Sequence, residues 1–248
     1  MLIIKNISKH FGGVKAVSNC SFEIPARQIT ALIGPNGAGK TTLFNIINGF
    51  VENDGGKIIF EGRDISKSPT WERSRFGISR TFQLSRLFAN LTVRANLELS
   101  IRQDDDQFWK MFFLGRAENE FNERIAEMLR FVGLEKDPSV KVTELSYGQQ
   151  KLFDLARALL NPHTILLLDE PVAGVNPVVR ERLKEILLDL KKKGETVLLI
   201  EHDIDFVRGV ADSIVVMDQG AVLAQGDPDV VLKDAKVLEA YLGATAQK

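Results

Sequence analysis

The stretch GPNGAGKTT, residues 34–42, matches the pattern G-x-x-x-x-G-K-[ST] in full. Such a loop works only with a strand behind it and a helix ahead, because its N–H groups must converge at a helix N-terminus. The sequence supplies both neighbours: the apolar run QITALIG (28–34) and the amphipathic TTLFNIINGF (41–50). Backbone N–H groups of Asn36, Gly37, Ala38 and Gly39 can then wrap a phosphate chain, and Lys40 brings a point charge to the outer phosphates. The Thr41 hydroxyl is offered to Mg²⁺, and Thr42 lies beside the inner phosphates. The implied ligand is a nucleoside triphosphate.

Three further short apolar runs, TILLLDE (164–170), TVLLIEHD (196–203) and SIVVMDQG (213–220), end in polar residues and are separated by helical patterns. They are too short for buried helices, and strands alternating with helices imply a largely parallel sheet. In PVVRERLKEILLDLKKKG, the residues Val179, Leu183, Ile186, Leu187 and Leu190 share one face. Lys191 to Lys193 suit the negative end of that helix, and Gly194 stops it. Residues 1–27 and 56–65 instead alternate apolar and polar around glycines, as antiparallel strands do. From about 85 to 160 the pattern is helical. The expectation is one α/β domain over residues 1–248, with a mainly parallel core sheet, an N-terminal antiparallel β subdomain and an inserted helical subdomain. Inside the insert, DDDQFWKMFFLGR sets three aspartates before Phe108, Trp109, Phe112 and Phe113. That segment reads either as a helix burying an aromatic face or as a docking patch for another protein.

Composition narrows the partners. A formal net charge of −1 argues against nucleic acid, whose binders carry a basic surplus. Cys20 is the sole cysteine, has no internal disulfide partner and reads as a small buried hydrophobe. MLIIKNISKHFGG shows no secretory-signal pattern, and no apolar run reaches the ~18 residues that span a bilayer. A membrane role is therefore expected only through a partner.

The run ILLLDE puts two carboxylates at the mouth of a buried strand. Asp169 is the candidate to hold Mg²⁺, and Glu170 the candidate to polarise an attacking water, the two tasks phosphoryl transfer requires. Gln83, in RTFQLSRLF, sits where core strands give way to the insert. Its amide can touch both metal and water, although a lone glutamine also reads as a surface residue. His202 ends a strand of the same sheet and should emerge on the edge that carries Asp169 and Glu170.

Read together, GPNGAGKTT, Gln83, LSYGQQ (145–150), ILLLDE, VAGVN and His202 resemble the ATP-binding subunit of ABC transporters over essentially the whole chain. The resemblance implies ATP with Mg²⁺, and two such subunits dimerising head to tail around two ATP molecules. Ser146, Tyr147, Gly148 and Gln149 would then act in trans on the partner's nucleotide, Ser146 and Gly148 making the γ-phosphate contacts. Tyr147 stands where the family commonly has glycine, and Asn176 where many members have aspartate. Phe11 matches the aromatic that stacks on adenine, with Ala16 as a further candidate for that surface. FGGVKAV, GISRTFQLSRLF, EPVAGVNP, LLIEHD and VLEAYLG look like the ATPase subunit of branched-chain amino acid importers. Urea or amide uptake and lipopolysaccharide export systems share part of this vocabulary, and a non-transport ABC ATPase is the alternative class. The importer resemblance implies membrane permease subunits contacting residues from Gln83 to about Leu99. It also implies a second ATP-binding subunit, an indirect periplasmic or extracellular binding protein, and a peripheral place on the cytoplasmic face of the membrane.

Overall fold

Strand β3 (Ile29–Ile33) is buried along its length, with Ile29, Ala31 and Ile33 facing one hydrophobic cluster and Leu32 the other. The same period-two division occurs in β7 (Ile165–Asp169), β8 (Val197–Ile200) and β9 (Ser213–Asp218). Strands covered on both faces read as continuous apolar runs, which is why these four were recognisable. The coordinates are a computed structural model that describes residues 1–81, 87–101 and 116–245. Among these residues the core sheet has the order β10-β9-β3-β8-β7-β6, with β6 at Ile78–Arg80 and β10 at Ala221–Gly226. All its pairings are parallel except β10 on β9.

A second sheet, antiparallel throughout, has the order β2-β1-β4-β5, built from Val14–Ile24, Leu2–Phe11, Gly55–Phe60 and Arg63–Asp64. Helix α1 (Lys40–Asn48) lies between the two sheets. Its Leu43, Phe44, Ile46 and Ile47 join one cluster with Leu2, Ile4 and Ile7 of β1 and with Leu32, Leu167 and Leu198 of the core sheet. Cys20 belongs to this cluster and donates its Sγ–H to the Gly220 carbonyl at 3.1 Å, while burial pushes its thiol up to about 11.

The opposite face of the core sheet is covered by α3 (Val93–Ile101), α4 (Arg116–Val132), α5 (Tyr147–Leu160), α6 (Pro177–Lys192) and α7 (Ile204–Val210). Val93 and Leu97, Ile125 and Leu129, and Leu152 and Phe153 all enter the same cluster as Ile29 and Leu168. The helices of the expected insert thus share the core of the parallel sheet. The aromatic run Phe108–Phe113 lies outside the described residues. No described helix is long and apolar enough to cross a membrane. The fold class is the one expected.

Arg73, on α2 (Thr70–Arg75), is buried where α1 ends. Its guanidinium donates to the carbonyls of Ile46 (2.5 Å), Ile47 (2.8 Å), Ser66 (3.0 Å) and Ser68 (2.8 Å). The first two belong to the last turn of α1, where Ile46 O also accepts from Gly49 N at 3.1 Å and the helix dipole favours a cation. Burial pushes the guanidinium down to about 10, still far above neutrality, so it stays charged. Arg73→Met, which keeps the stem and removes the donors, should lower unfolding free energy by about 2–4 kcal/mol. Urea denaturation followed by circular dichroism measures this; a change below about 0.5 kcal/mol would mean water replaces the cap.

Candidate active site at the phosphate loop

The loop after β3 is shaped by what it cannot accommodate. Gly34 has φ 147°, and a Cβ there would collide with the Met217 carbonyl oxygen of β9. Gly39, the N-cap of α1 with φ 94°, would drive a Cβ into the carbonyl oxygen of Ala16 on β2. Hydrogen bonds from Gly220 N to Ala38 O (3.1 Å) and from Ser18 N to Gly220 O (2.8 Å) complete the seam. Lys40 is nearly buried and its ammonium donates to Gly34 O (2.8 Å) and Pro35 O (2.9 Å). Burial pulls its pKa down, and the nearby Glu170 carboxylate pulls it back up.

A cavity of about 280 Å³ opens over this loop, lined by Val14, Lys15, Ala16, residues 36–42, Glu170 and His202. Strand order explains the gathering. β8 lies between β3 and β7, so His202, just past β8, emerges between the phosphate loop and Glu170. Carboxyl ends of parallel strands are where such sheets hold ligands. Ala16, Asn36, Gly37, Ala38, Gly39, Lys40, Thr41, Thr42, Glu170 and His202 are thus brought together. Phe11 ends β1 half-exposed, outside this lining, with the Lys9 ammonium 5.5 Å from its ring.

Glu170 has φ 49°, an unusual backbone for a non-glycine residue and one that turns the chain sharply at the strand end. Its Oε1 lies 2.9 Å from His202 Nε2, and its N–H bonds to Ile200 O at 3.0 Å. Asp169, one residue earlier, is buried; Oδ2 accepts from Arg80 Nη2 at 2.7 Å. Asp169 Oδ1 is buried with no partner among the described residues. Asp169 does not line the cavity itself, but its unpartnered carboxylate oxygen lies one residue before Glu170, which lines it with Thr41, and such an oxygen fits a hard divalent cation. Gln83, the other candidate metal ligand, lies outside the described residues.

Three charged residues around these acids were missed in the sequence. Besides Arg80, Lys151 is buried on α5 and its ammonium donates to the Glu170 carbonyl at 3.4 Å. Burial lowers its pKa, and the carboxylates of Asp154, Asp169, Glu201 and Glu170 oppose that. Glu201 is buried, accepting from Val172 N (2.9 Å) and His202 N (3.1 Å), so it joins the segment after Glu170 to the histidine. Only its place in IEHD, at the end of a buried strand, signals a role.

Ser146, Tyr147, Gly148, Gln149 and Asn176 do not line the cavity; they start two other helices. Ser146 caps α5 in a reciprocal box: its N–H donates to Gln149 Oε1 (2.9 Å), and Gln149 N donates to its Oγ (3.4 Å). Tyr147 is exposed, with its hydroxyl donating to Ala173 O at 3.2 Å. A Cβ on Gly148 would stand 2.9 Å from Val179 Cγ2, so α5 and α6 meet closely there. Asn176 caps α6, accepting from Val179 N at 2.9 Å.

A phosphate loop opening a helix between two sheets, with paired acids two strands away, defines a P-loop nucleotide-binding fold. A family profile described as "ABC transporter" matches residues 17–173, and one described as "Branched-chain amino acid ATP-binding cassette transporter" matches residues 221–247. The high-affinity branched-chain amino acid transport ATP-binding protein LivG of Salmonella typhimurium is 39% identical over 252 residues, covering 98% of each chain. The crystal structure of the ADP conformation of an ATP-binding cassette of an ABC transporter superposes with TM-score 0.82 at 34% identity, covering 98% of both chains. A dimeric bacterial ABC transporter cassette gives TM-score 0.80 at 26% identity, covering 92% of this chain and 99% of that one. This chain belongs to the ABC transporter ATP-binding proteins, in their branched-chain amino acid, LivG-like family. It is an ATPase of that type, as its motifs led one to expect.

Burial raises Glu201 to about 6, outweighing the N–H donors that lower it. A carboxyl raised on folding favours the protonated native state, so its contribution is present below its unfolded value of 4.5 and lost as pH rises through about 6. The stability of the wild type relative to Glu201→Gln should therefore improve by about 1–2 kcal/mol between pH 7.5 and pH 4.5. Paired urea titrations at the two pH values test this; a constant difference would mean Glu201 titrates normally.

Proposed function

We propose that this chain is the ATP-hydrolysing subunit of an importer for branched-chain or related amino acids, seated beneath permease subunits at the cytoplasmic face of the membrane. The observation that carries the reading is one cavity holding the phosphate loop, Glu170 and His202, while the capped N-terminus of α5 faces elsewhere. The names of its relatives and the C-terminal match at residues 221–247 support the importer branch.

In the proposed reaction a water attacks the γ-phosphorus, its proton passes to the Glu170 carboxylate, and the bond to the bridging oxygen breaks to leave ADP and phosphate. Such transfer needs positioning and charge neutralisation more than covalent participation. Lys40 exchanges its two loop carbonyls for phosphate oxygens. His202, in contact with Glu170 Oε1, keeps that carboxylate turned into the cavity. Mg²⁺, held by Thr41, Asp169 and Gln83, would neutralise charge on the phosphates. Phe11 and Ala16 are proposed to border the adenine.

Ser146, Tyr147, Gly148, Gln149 and Asn176 are assigned to a partner's nucleotide. They lie away from the chain's own cavity, and N–H groups at a helix start suit a phosphate. ATP then favours the closed dimer because these donors meet it only there. The partner is a second ATP-binding subunit, identical or related. A groove of about 450 Å³, bordered by Phe50, Trp71, Arg80, Ser100 and Arg157, is assigned to the permease together with the stretch from Gln83 to about Leu99. The insert expected at about 85 to 160 is assigned to the permease side, and the binding protein acts indirectly through the permease.

Two outcomes test this. Glu170→Gln should cut turnover by about 100-fold or more, retain ATP binding and accumulate as an ATP-dependent dimer in size-exclusion chromatography; near-normal phosphate release would remove Glu170 as the base. An affinity tag on this chain should recover permease subunits from detergent-solubilised membranes. ATPase activity of that assembly in liposomes should rise with leucine-loaded binding protein and not with a urea-loaded one. No stimulation by the amino acid would overturn the importer assignment.

A further inference from the structure

Arg80 reaches two elements at once from β6, with only 5% of its side chain exposed. Its Nη2 donates to Asp169 Oδ2 at 2.7 Å, and its Nη1 donates to Asn45 Oδ1 at 2.8 Å. Asn45 sits four residues beyond Thr41 on α1, one turn along the same helix face. The guanidinium also packs over the rings of Phe44 (5.1 Å) and Phe50 (5.7 Å). A planar fork held this way sets where its carboxylate points, since rotation would cost both hydrogen bonds and the ring contacts.

The effect on Asp169 is asymmetric. Oδ2 is engaged by Arg80, whereas Oδ1 is buried and has no partner among the described residues. Stability is a weak reason for such a pair, because two buried charges gain little over apolar residues of the same volume. We propose that Arg80 is a positioning residue for the divalent cation. It holds Asp169 by one oxygen so that the other stays available, and through Asn45 it ties that carboxylate to the helix whose first turn carries Lys40 and Thr41. Metal-holding groups on β7 and α1 therefore keep one fixed relation. This rests on the reading of Asp169 as the residue that holds the cation.

Positioning and charge make opposite predictions. If Arg80 merely competed with the cation, its removal would leave the site more negative and Mg²⁺ would bind more tightly. If it positions Asp169, its removal weakens Mg²⁺ binding, as loss of a group orienting a metal ligand commonly does. The assay is fluorescent mant-ADP binding to the purified full chain, titrated with Mg²⁺ and repeated in EDTA. For Arg80→Met the Mg²⁺ concentration giving half-maximal enhancement of binding should rise about tenfold, with affinity in EDTA within about twofold of wild type. Arg80→Lys, which keeps the charge but not the fork, should fall between. Asn45→Ala leaves the ion pair and removes its anchor, so it should shift the midpoint in the same direction by about threefold, and it decides the matter if Arg80→Met does not fold. A wild-type or lower midpoint in the folded variants overturns the proposal, as does an equal loss with and without Mg²⁺. Asp169→Asn separates the two readings. If it too leaves the midpoint unchanged, the assignment of the cation to Asp169 fails; if it alone shifts the midpoint, only the role of Arg80 fails.

Discussion

Two missing β-carbons hold this molecule together. At Gly34 the phosphate loop lies against the Met217 carbonyl of the parallel sheet, and at Gly39 against the Ala16 carbonyl of the antiparallel sheet. Any side chain at either point would push one sheet away and open the cluster that encloses α1. Loop shape, helix start and the seam between the layers are therefore one steric condition. The cavity inherits its walls from it, since Ala16 belongs to one sheet and Glu170 and His202 follow strands of the other.

Around the acids, buried charges do what apolar packing could not. Lys151 reaches the Glu170 carbonyl from α5, Glu201 binds the two N–H groups that flank the chemistry, and Arg80 engages Asp169 from β6. Burying each of these charges is expensive, and the Arg80–Asp169 pair is worth little to stability. What such pairs supply is direction: a hydrogen bond constrains angle as well as distance, which methyl contacts do not.

Much of the architecture was legible in the sequence because it depends on local pattern. The runs that became β3, β7, β8 and β9 announced themselves through unbroken apolar character, and GPNGAGKTT through glycine spacing. His202 was legible because strand ends share an edge. Arg73, Arg80, Lys151 and Glu201 were not, since the burial of each depends on a partner group 19 to 89 positions away. In isolation each resembles a solvated charge. The edge strand β10 was likewise invisible: AVLAQG is half-exposed and lacks the apolar density of its neighbours. The motif LSYGQQ was legible as a helix start, but the close meeting of Gly148 and Val179 required the fold.

The contacts of that helix start reach further than its capping. The Tyr147 hydroxyl holds Ala173, and Gly148 abuts Val179, both in the stretch that leaves Glu170. Farther along α6, the Arg180 guanidinium grips both oxygens of Asp203, the residue after His202. One continuous run of contacts thus joins the start of α5, the surface assigned above to another subunit's nucleotide, with Glu170 and His202 at this chain's own cavity. A neighbour's nucleotide seated against Ser146, as proposed, would lean on the geometry of Glu170 and His202. By reciprocity, a change at Glu170 would be felt by such a neighbour. Two such chains arranged head to tail would have a shared clock rather than two independent ones.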